Sequence, residues 1–239
     1  MNVGDLAPTS VSHAIRFHNE LNPVIWDGNR MKPEVRQRLL VIAKDFKKFL
    51  EVDYLDVEDI TISGSNAAYT YTPHSDIDLH LLIDVPNLDF STVFRQLFDA
   101  KKFQYNETRK IKIKGYDVEL YVQNPKDDHK SAGIFSVLNG KWINVPKQEQ
   151  PEIDDLSVKC KVENFMKRID AEVEHESLEA ARAIWEDIKE MRKAGLFKEG
   201  EFSAENLAFK VLRNNGYSNK ILSHIAHIRD KDLSLEQKV

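Results

Sequence analysis

One cysteine in 239 residues, Cys160, excludes an intramolecular disulfide framework and any structural zinc cluster built on cysteines. The 9 glycines and 8 prolines are too few for a collagenous or low-complexity chain. No apolar run approaches the roughly 18 residues a membrane helix needs. Met1 to Ser10 has no basic stretch leading into an apolar one, so no secretory signal is expected. No repeat of solenoid period is visible. Neither charge sign dominates, with 34 Lys plus Arg against 39 Asp plus Glu, a net charge of −5. That balance argues at first sight against a nucleic-acid partner. What is present is a 41% apolar chain long enough to bury a core, as one large domain or two small ones. The expectation is a soluble cytoplasmic protein with no membrane partner.

The pattern along the chain changes character near Pro146–Asp154. Before it, helical and strand periods alternate. Pro23, Asp27-Gly28 and Pro33 punctuate a lead-in segment with turns. Pro33 to Leu50 reads as a helix, with Val35, Leu39, Ile42, Ala43, Phe46 and Leu50 on one face. Asp59 to Ser63 is a short strand ending at Gly64-Ser65. Asp76 to Val85 is the best strand in the chain, because Ile77, Leu79, Leu81 and Ile83 alternate with Asp76, Asp78, His80 and Leu82. A helix from Ser91 to Lys101 follows, with Ser91 as its cap. Thr108–Lys114 and Tyr116–Gln123 flank Gly115 as a strand pair, and a second hairpin turns at Asn139-Gly140. After the boundary the sequence is helical: Asp155–Glu176, Ser177–Ala194 closed by Gly195, Ser203–Asn214 and Ser218–Arg229. The expected architecture is an α+β part, residues 1–150, followed by a helical part, residues 151–239.

The chemistry concentrates in Gly64-Ser65, ten residues, then Asp76-Ile77-Asp78. A strand period of two puts both aspartates on one face, where they repel each other unless a cation holds them. Mg²⁺ is the natural occupant, a hard ion held by one or two carboxylates plus substrate phosphates. A Gly-Ser turn after a strand offers backbone N–H groups and a hydroxyl to those phosphates. A two-metal site needs one more carboxylate. Asp117 and Glu119 share a strand face. Glu119, between Val118 and Leu120, is expected to serve, with Asp117 as the alternative.

Gly64-Ser65 … Ser75-Asp76-Ile77-Asp78-Leu79, with the later Tyr116-Asp117-Val118-Glu119-Leu120, resembles the polymerase-β-type nucleotidyltransferase superfamily. Leu21-Asn22-Pro23 … Trp26-Asp27, Arg192 to Leu196 and Glu205 to Arg213 look like minimal nucleotidyltransferases of phage and bacterial genomes. The resemblance implies a small mixed sheet with helices on one face. It implies in-line transfer of a nucleoside monophosphate from an NTP, ATP foremost, with pyrophosphate leaving. It implies that Asp76, Asp78 and Glu119 hold two Mg²⁺ ions, with Mn²⁺ as a substitute. Gly64, Ser65 and Ser75 would bind the phosphates, and Lys210 and Arg213, sharing a helical face, would meet the triphosphate. Asn206, one turn earlier, could join them.

Acceptor readings fall into four classes. They are an RNA 3′ end such as tRNA, a protein hydroxyl taking AMP, a small molecule or oligonucleotide signal, and a non-catalytic module on the same fold. The intact carboxylates speak against the last. Residues 100–147 carry 10 Lys plus Arg against 5 Asp plus Glu, a local +5, whereas residues 148–205 carry 16 acidic against 9 basic residues. Lys101, Lys102, Arg109, Lys110, Lys112 and Lys114 lie in the basic stretch, which favours RNA. Tyr69 and Tyr71 near the motif, and Trp142 and Trp185, read first as packing residues; His74 reads equally as a phosphate contact or a turn residue, and His80 first as a polar residue on the open sheet face, with the rim of the metal site as the alternative. His224 and His227 read as surface residues, and Cys160 as incidental.

Overall fold

The computed structural model describes residues 14–52, 54–84, 91–127 and 131–235. The chain divides into two compact units, Arg16–Glu149 and the residues from Gln150 onward, which Ala14 and Ile15 join.

In the first unit, Trp26–Asp27 (β1) and Arg30–Met31 (β2) pair around the Asp27-Gly28 turn. Pro33–Leu50 (α1) begins with its proline where the missing N–H costs nothing, and it buries Val35, Leu39, Ile42, Phe46 and Leu50. A six-stranded mixed sheet follows. Its strands are Val57–Ser63 (β3), Ile77–Ile83 (β4), Lys112–Ile113 (β5), Tyr116–Gln123 (β6), Ile134–Ser136 (β7) and Lys141–Asn144 (β8). They lie in the order β5-β6-β4-β3-β7-β8. Only β4 and β6 run parallel, and their crossover includes Ser91–Thr108 (α2). The fold class is α+β, as the sequence pattern implied.

Alternation decides the two faces of this sheet. Ile62, Ile77, Leu79, Leu81, Ile83, Val118 and Leu120 join the side chains of α1 and α2 in one core. The opposite face carries Ser63, Asp78, His80, Glu119 and Tyr121. Trp26 is buried against Phe135 (centroids 5.0 Å apart, edge to face) and Trp142 (4.7 Å, stacked), so the Trp142 hairpin is core packing. Arg36 ties α1 to the same hairpin by donating to the Val137 and Leu138 carbonyls, both at 2.7 Å.

Several expected boundaries move, β3 beginning at Val57 and β4 at Ile77 where Asp59 and Asp76 were expected. α2 runs past Lys101 to Thr108 because the buried Tyr105 extends the Phe98 stripe and donates to Asp45 Oδ2 at 2.8 Å. The strand expected over Thr108–Lys114 shrinks to β5 in consequence. Val85, the expected end of β4, the Met1–Ser10 reading and the side chain of Ser91 lie outside the described residues.

The second unit consists of Asp155–His175 (α3), Leu178–Lys198 (α4), Ala204–Asn214 (α5) and Tyr217–Leu233 (α6). Asp154, Ser177 and Ser203 cap the first three, each accepting from a backbone N–H. Gly195 does not close α4, which continues to Lys198. A Cβ there would come within 2.5 Å of Glu205 Cβ and 2.6 Å of Ser203 Oγ, so this glycine serves close packing inside a helix. His224 is buried, contrary to the surface reading, since it lies between Ile221 and Ile228 on the apolar seam of α6; its Nε2 has no hydrogen-bond partner among the described residues. His227 is exposed.

Candidate active site

The motif residues meet at one end of the open sheet face. β3 delivers Ser63 and then turns at Gly64 into a short 3-10 turn, Ser65–Ala67. Gly64 has φ 75° and ψ −166°, a conformation essentially restricted to glycine. A Cβ on it would overlap the Asp78 Oδ2. The missing side chain is the space in which the Asp78 carboxylate lies.

Register does the rest. Ser63 pairs with Asp78 across β3–β4, and Asp78 pairs with Glu119 across β4–β6, so the three form one row over three strands. Asp76 precedes β4 and is half-buried. The next row is Thr61, His80 and Tyr121. Asp117 is exposed and accepts from Lys112 Nζ at 2.9 Å, one row nearer the turn. Glu119 is therefore the residue that faces Asp78 directly.

Tyr121 reports how charges gather at this end. Burial, followed by the charges of Asp78, Glu119 and Asp76, holds its phenol above the ordinary tyrosine range. The hydroxyl thus stays protonated and donates to Glu119 Oε2. The Tyr121 ring stacks on His80 with centroids 4.9 Å apart and planes 17° apart, and Lys102 Nζ lies 4.9 Å from the ring centre. His80 Nε2 and Ser63 Oγ are 3.1 Å apart.

Asn66 supports Asp76 from below. Its Nδ2 donates to the Asp76 carbonyl at 2.9 Å, its Oδ1 accepts from Asn22 at 2.8 Å, and its own carbonyl accepts from Trp26 Nε1 at 2.8 Å. Ser75 knots the loop that precedes Asp76. Its Oγ accepts from Ser65 Oγ at 2.8 Å and from Thr72 N at 2.9 Å, so both serine hydroxyls are engaged with one another. The Gly64 N–H donates to Ser131 Oγ at 3.2 Å. Sequence reasoning passed over Asn66, Ser131 and Tyr121. Only Asn66 left a trace there, as the residue directly after Gly64-Ser65.

Lys210 is half-buried and Arg213 exposed, both on α5 in the helical unit. Asn206 is buried within that unit, donating to the Glu201 carbonyl at 2.7 Å and accepting from Arg192 Nε at 3.4 Å, which occupies its amide. Tyr71 is buried under His18, stacked at 3.8 Å, as a packing residue. Among the described residues no three His, Cys, Asp or Glu side chains form a preformed metal-binding group.

The nucleotidyltransferase domain family matches residues 43–178, more than half of the chain. The chain belongs to that family. The matched span runs from α1 through the whole open-face row to the first turn of α4. This nucleotidyltransferase is thus an enzyme that transfers a nucleoside monophosphate from an NTP, on a nucleotidyltransferase fold followed by helices. No curated protein matches its sequence. A structure described as a STING-associated CdnE c-di-GMP synthase from Capnocytophaga granulosa is similar at 11% identity. That likeness covers 92% of this chain and 86% of that one, and at a TM-score of 0.25 it carries no argument about fold or acceptor.

Proposed function

We propose that this nucleotidyltransferase uses Asp76, Asp78 and Glu119 to hold two Mg²⁺ ions, or Mn²⁺ in their place, and transfers a nucleoside monophosphate, from ATP foremost, to an RNA 3′ hydroxyl. One observation carries the reading of the site: Asp78 and Glu119 are register partners on the open face, with Gly64 leaving room for the Asp78 carboxylate. The donor set fits the ion. Carboxylate oxygens are hard ligands, and Mg²⁺ completes its octahedron with water and substrate phosphates, so no closed protein cage is required. Bound there, the metal supplies charge neutralisation at the phosphates and a lowered pKa for the attacking hydroxyl.

The chain's own residues do the positioning. Asp78, wedged against the Gly64 backbone, is fixed between β3 and β6. Asn66 fixes the backbone at Asp76, so the two aspartates keep their relative placement before any substrate arrives. Ser65 Oγ, which donates to Ser75, is free to rotate its proton toward a phosphate oxygen while Thr72 N keeps Ser75 in place.

The acceptor reading rests on the local +5 of residues 100–147. A second reading, a protein or small-molecule hydroxyl, is favoured by a specific observation. Lys101, Lys102, Lys110, Lys112 and Lys126 each stand within 4.0 Å of a carboxylate, which lowers the charge offered to a phosphate backbone. Incubation with Mg²⁺ and each α-labelled NTP, in the presence of total RNA, total protein or neither, separates the two. Label in the RNA fraction is expected. Label only in protein, or only in a small product, replaces the RNA reading, and label in an Asp78→Ala control overturns the site.

A further inference from the structure

We propose that Tyr121 is a positioning residue for the reaction, bracing Glu119 through its hydroxyl so that one carboxylate oxygen remains for metal. The inference rests on the reading of Glu119 as the third metal carboxylate.

The argument begins with Glu119 itself. A glutamate has one more rotatable bond than the aspartate it faces, so ordering its side chain costs more conformational entropy. A ligand that must be ordered when metal arrives binds that metal more weakly. Tyr121 Oη donates to Glu119 Oε2, fixing the rotamer in advance and leaving Oε1 as the other oxygen. The donor is two residues along the same strand, on the same face, and so shares the backbone of the group it holds.

The brace is itself held. His80 stacks on the Tyr121 ring from β4, with planes 17° apart. His80 Nε2 lies 3.1 Å from Ser63 Oγ on β3, and Ser63 is the register partner of Asp78. Lys102 Nζ approaches the ring from α2 at 4.9 Å, a favourable placement for an ammonium on an aromatic face. Thus the row Thr61–His80–Tyr121 lies beside the row Ser63–Asp78–Glu119 on the same face. Two diagonal contacts, Ser63 to His80 and Tyr121 to Glu119, join them across three strands. Removing the Tyr121 hydroxyl leaves the ring, its stack and its cation contact in place and takes away one hydrogen bond, the one to Glu119.

The test uses the full-length chain with Mn²⁺ as the metal probe and a non-hydrolysable NTP analogue. The free-Mn²⁺ resonance signal gives affinity, and turnover of α-labelled NTP gives kcat and KM. Tyr121→Phe is expected to weaken Mn²⁺ binding and to lower kcat by about 10-fold, the range for loss of a ligand-orienting partner. The KM for NTP at saturating metal should stay within about twofold, because the contacts to the nucleotide are unchanged. In a Glu119→Gln background Tyr121→Phe should add nothing, since the group it acts through is already lost. His80→Leu, which removes the stacked ring and keeps the hydroxyl, should give a smaller loss in the same direction that also vanishes in the Glu119→Gln background. It serves as the second variant if Tyr121→Phe folds poorly. Wild-type metal affinity and kcat in Tyr121→Phe, or an equal loss in the Glu119→Gln background, overturns the brace alone. Wild-type behaviour of Glu119→Gln overturns the reading of Glu119 as a metal carboxylate, and the brace with it.

Discussion

At position 64 the difference between a hydrogen and a methyl group decides whether Asp78 keeps its place. Gly64→Ala meets two penalties, a glycine-only backbone conformation and an overlap with Asp78 Oδ2. The backbone strain alone is worth about 1–3 kcal/mol. The variant is expected to melt lower and to lose at least about 100-fold in kcat, because displacement of about 1 Å at the reacting groups is costly. A variant that melts lower yet turns over normally would separate the glycine from the chemistry. The two candidates for the third carboxylate part in the same assay. Glu119→Gln should lose transfer, while Asp117→Asn, exposed and paired with Lys112, should stay within about threefold of wild type. Near-equal losses would mean that register does not select the ligand. Strand periodicity in the sequence puts Asp117 and Glu119 on one face but cannot say which stands opposite Asp78. That depends on the parallel pairing of β4 with β6, a long-range choice made by the whole sheet. Tyr121 was invisible for the same reason, since its stacking partner is 41 positions away, on another strand.

Elements were legible where one periodicity ran unopposed. α1 and β6 begin and end as their sequence patterns imply, because a single apolar stripe and its bounding turns specify each. Misreadings occurred where tertiary packing overrode a local signal. Gly195 reads as a stop signal, yet the helix continues to Lys198, and the glycine instead answers the close approach of Ser203 and Glu205, which leaves no room for a side chain. Gly195→Ala should therefore destabilise the chain, although alanine is the better helix former by about 1 kcal/mol; a rise in melting temperature would contradict the packing argument. The end of α3 gives a pH dependence. Lys231 on α6 donates to Glu176 at 2.6 Å and holds its carboxyl below the ordinary 4.5. The pair's contribution is thus fully present above that value and is lost as pH falls through the lowered one. Wild type should melt above Lys231→Met near neutral pH, and the gap should close in acid. A gap of constant size down to about pH 2.5 would rule out this pair as its source.

For the molecule as a whole, the proposed site makes its clustered carboxylates a liability that bound metal and nucleotide would relieve. Asp78→Asn, which removes one of the repelling charges, should melt no lower than wild type in the absence of metal. Wild type should gain about 2.7 kcal/mol from Mg²⁺ and a non-hydrolysable NTP analogue at 100 times their dissociation constant. For a chain of this length that is about 5–10 °C in melting temperature. Chelator, or the Asp78→Asn change, should erase the gain; a shift that persists in both would place the nucleotide elsewhere. Net charge was the least informative sequence quantity. The −5 conceals a basic stretch and an acidic one, and the structure adds that five lysines of the basic stretch already have carboxylate neighbours.

The lone cysteine has a practical consequence. Cys160 is exposed on α3 in the helical unit, while Asp78 and Glu119 belong to the sheet unit. A maleimide dye therefore attaches to the native sequence at one known place, with no background thiol to remove and no carboxylate of the sheet altered. Paired with a fluorescent NTP analogue, that dye makes the unmodified enzyme a ruler. Energy transfer would time the arrival of nucleotide at the sheet and register any accompanying movement of the helices, turnover by turnover.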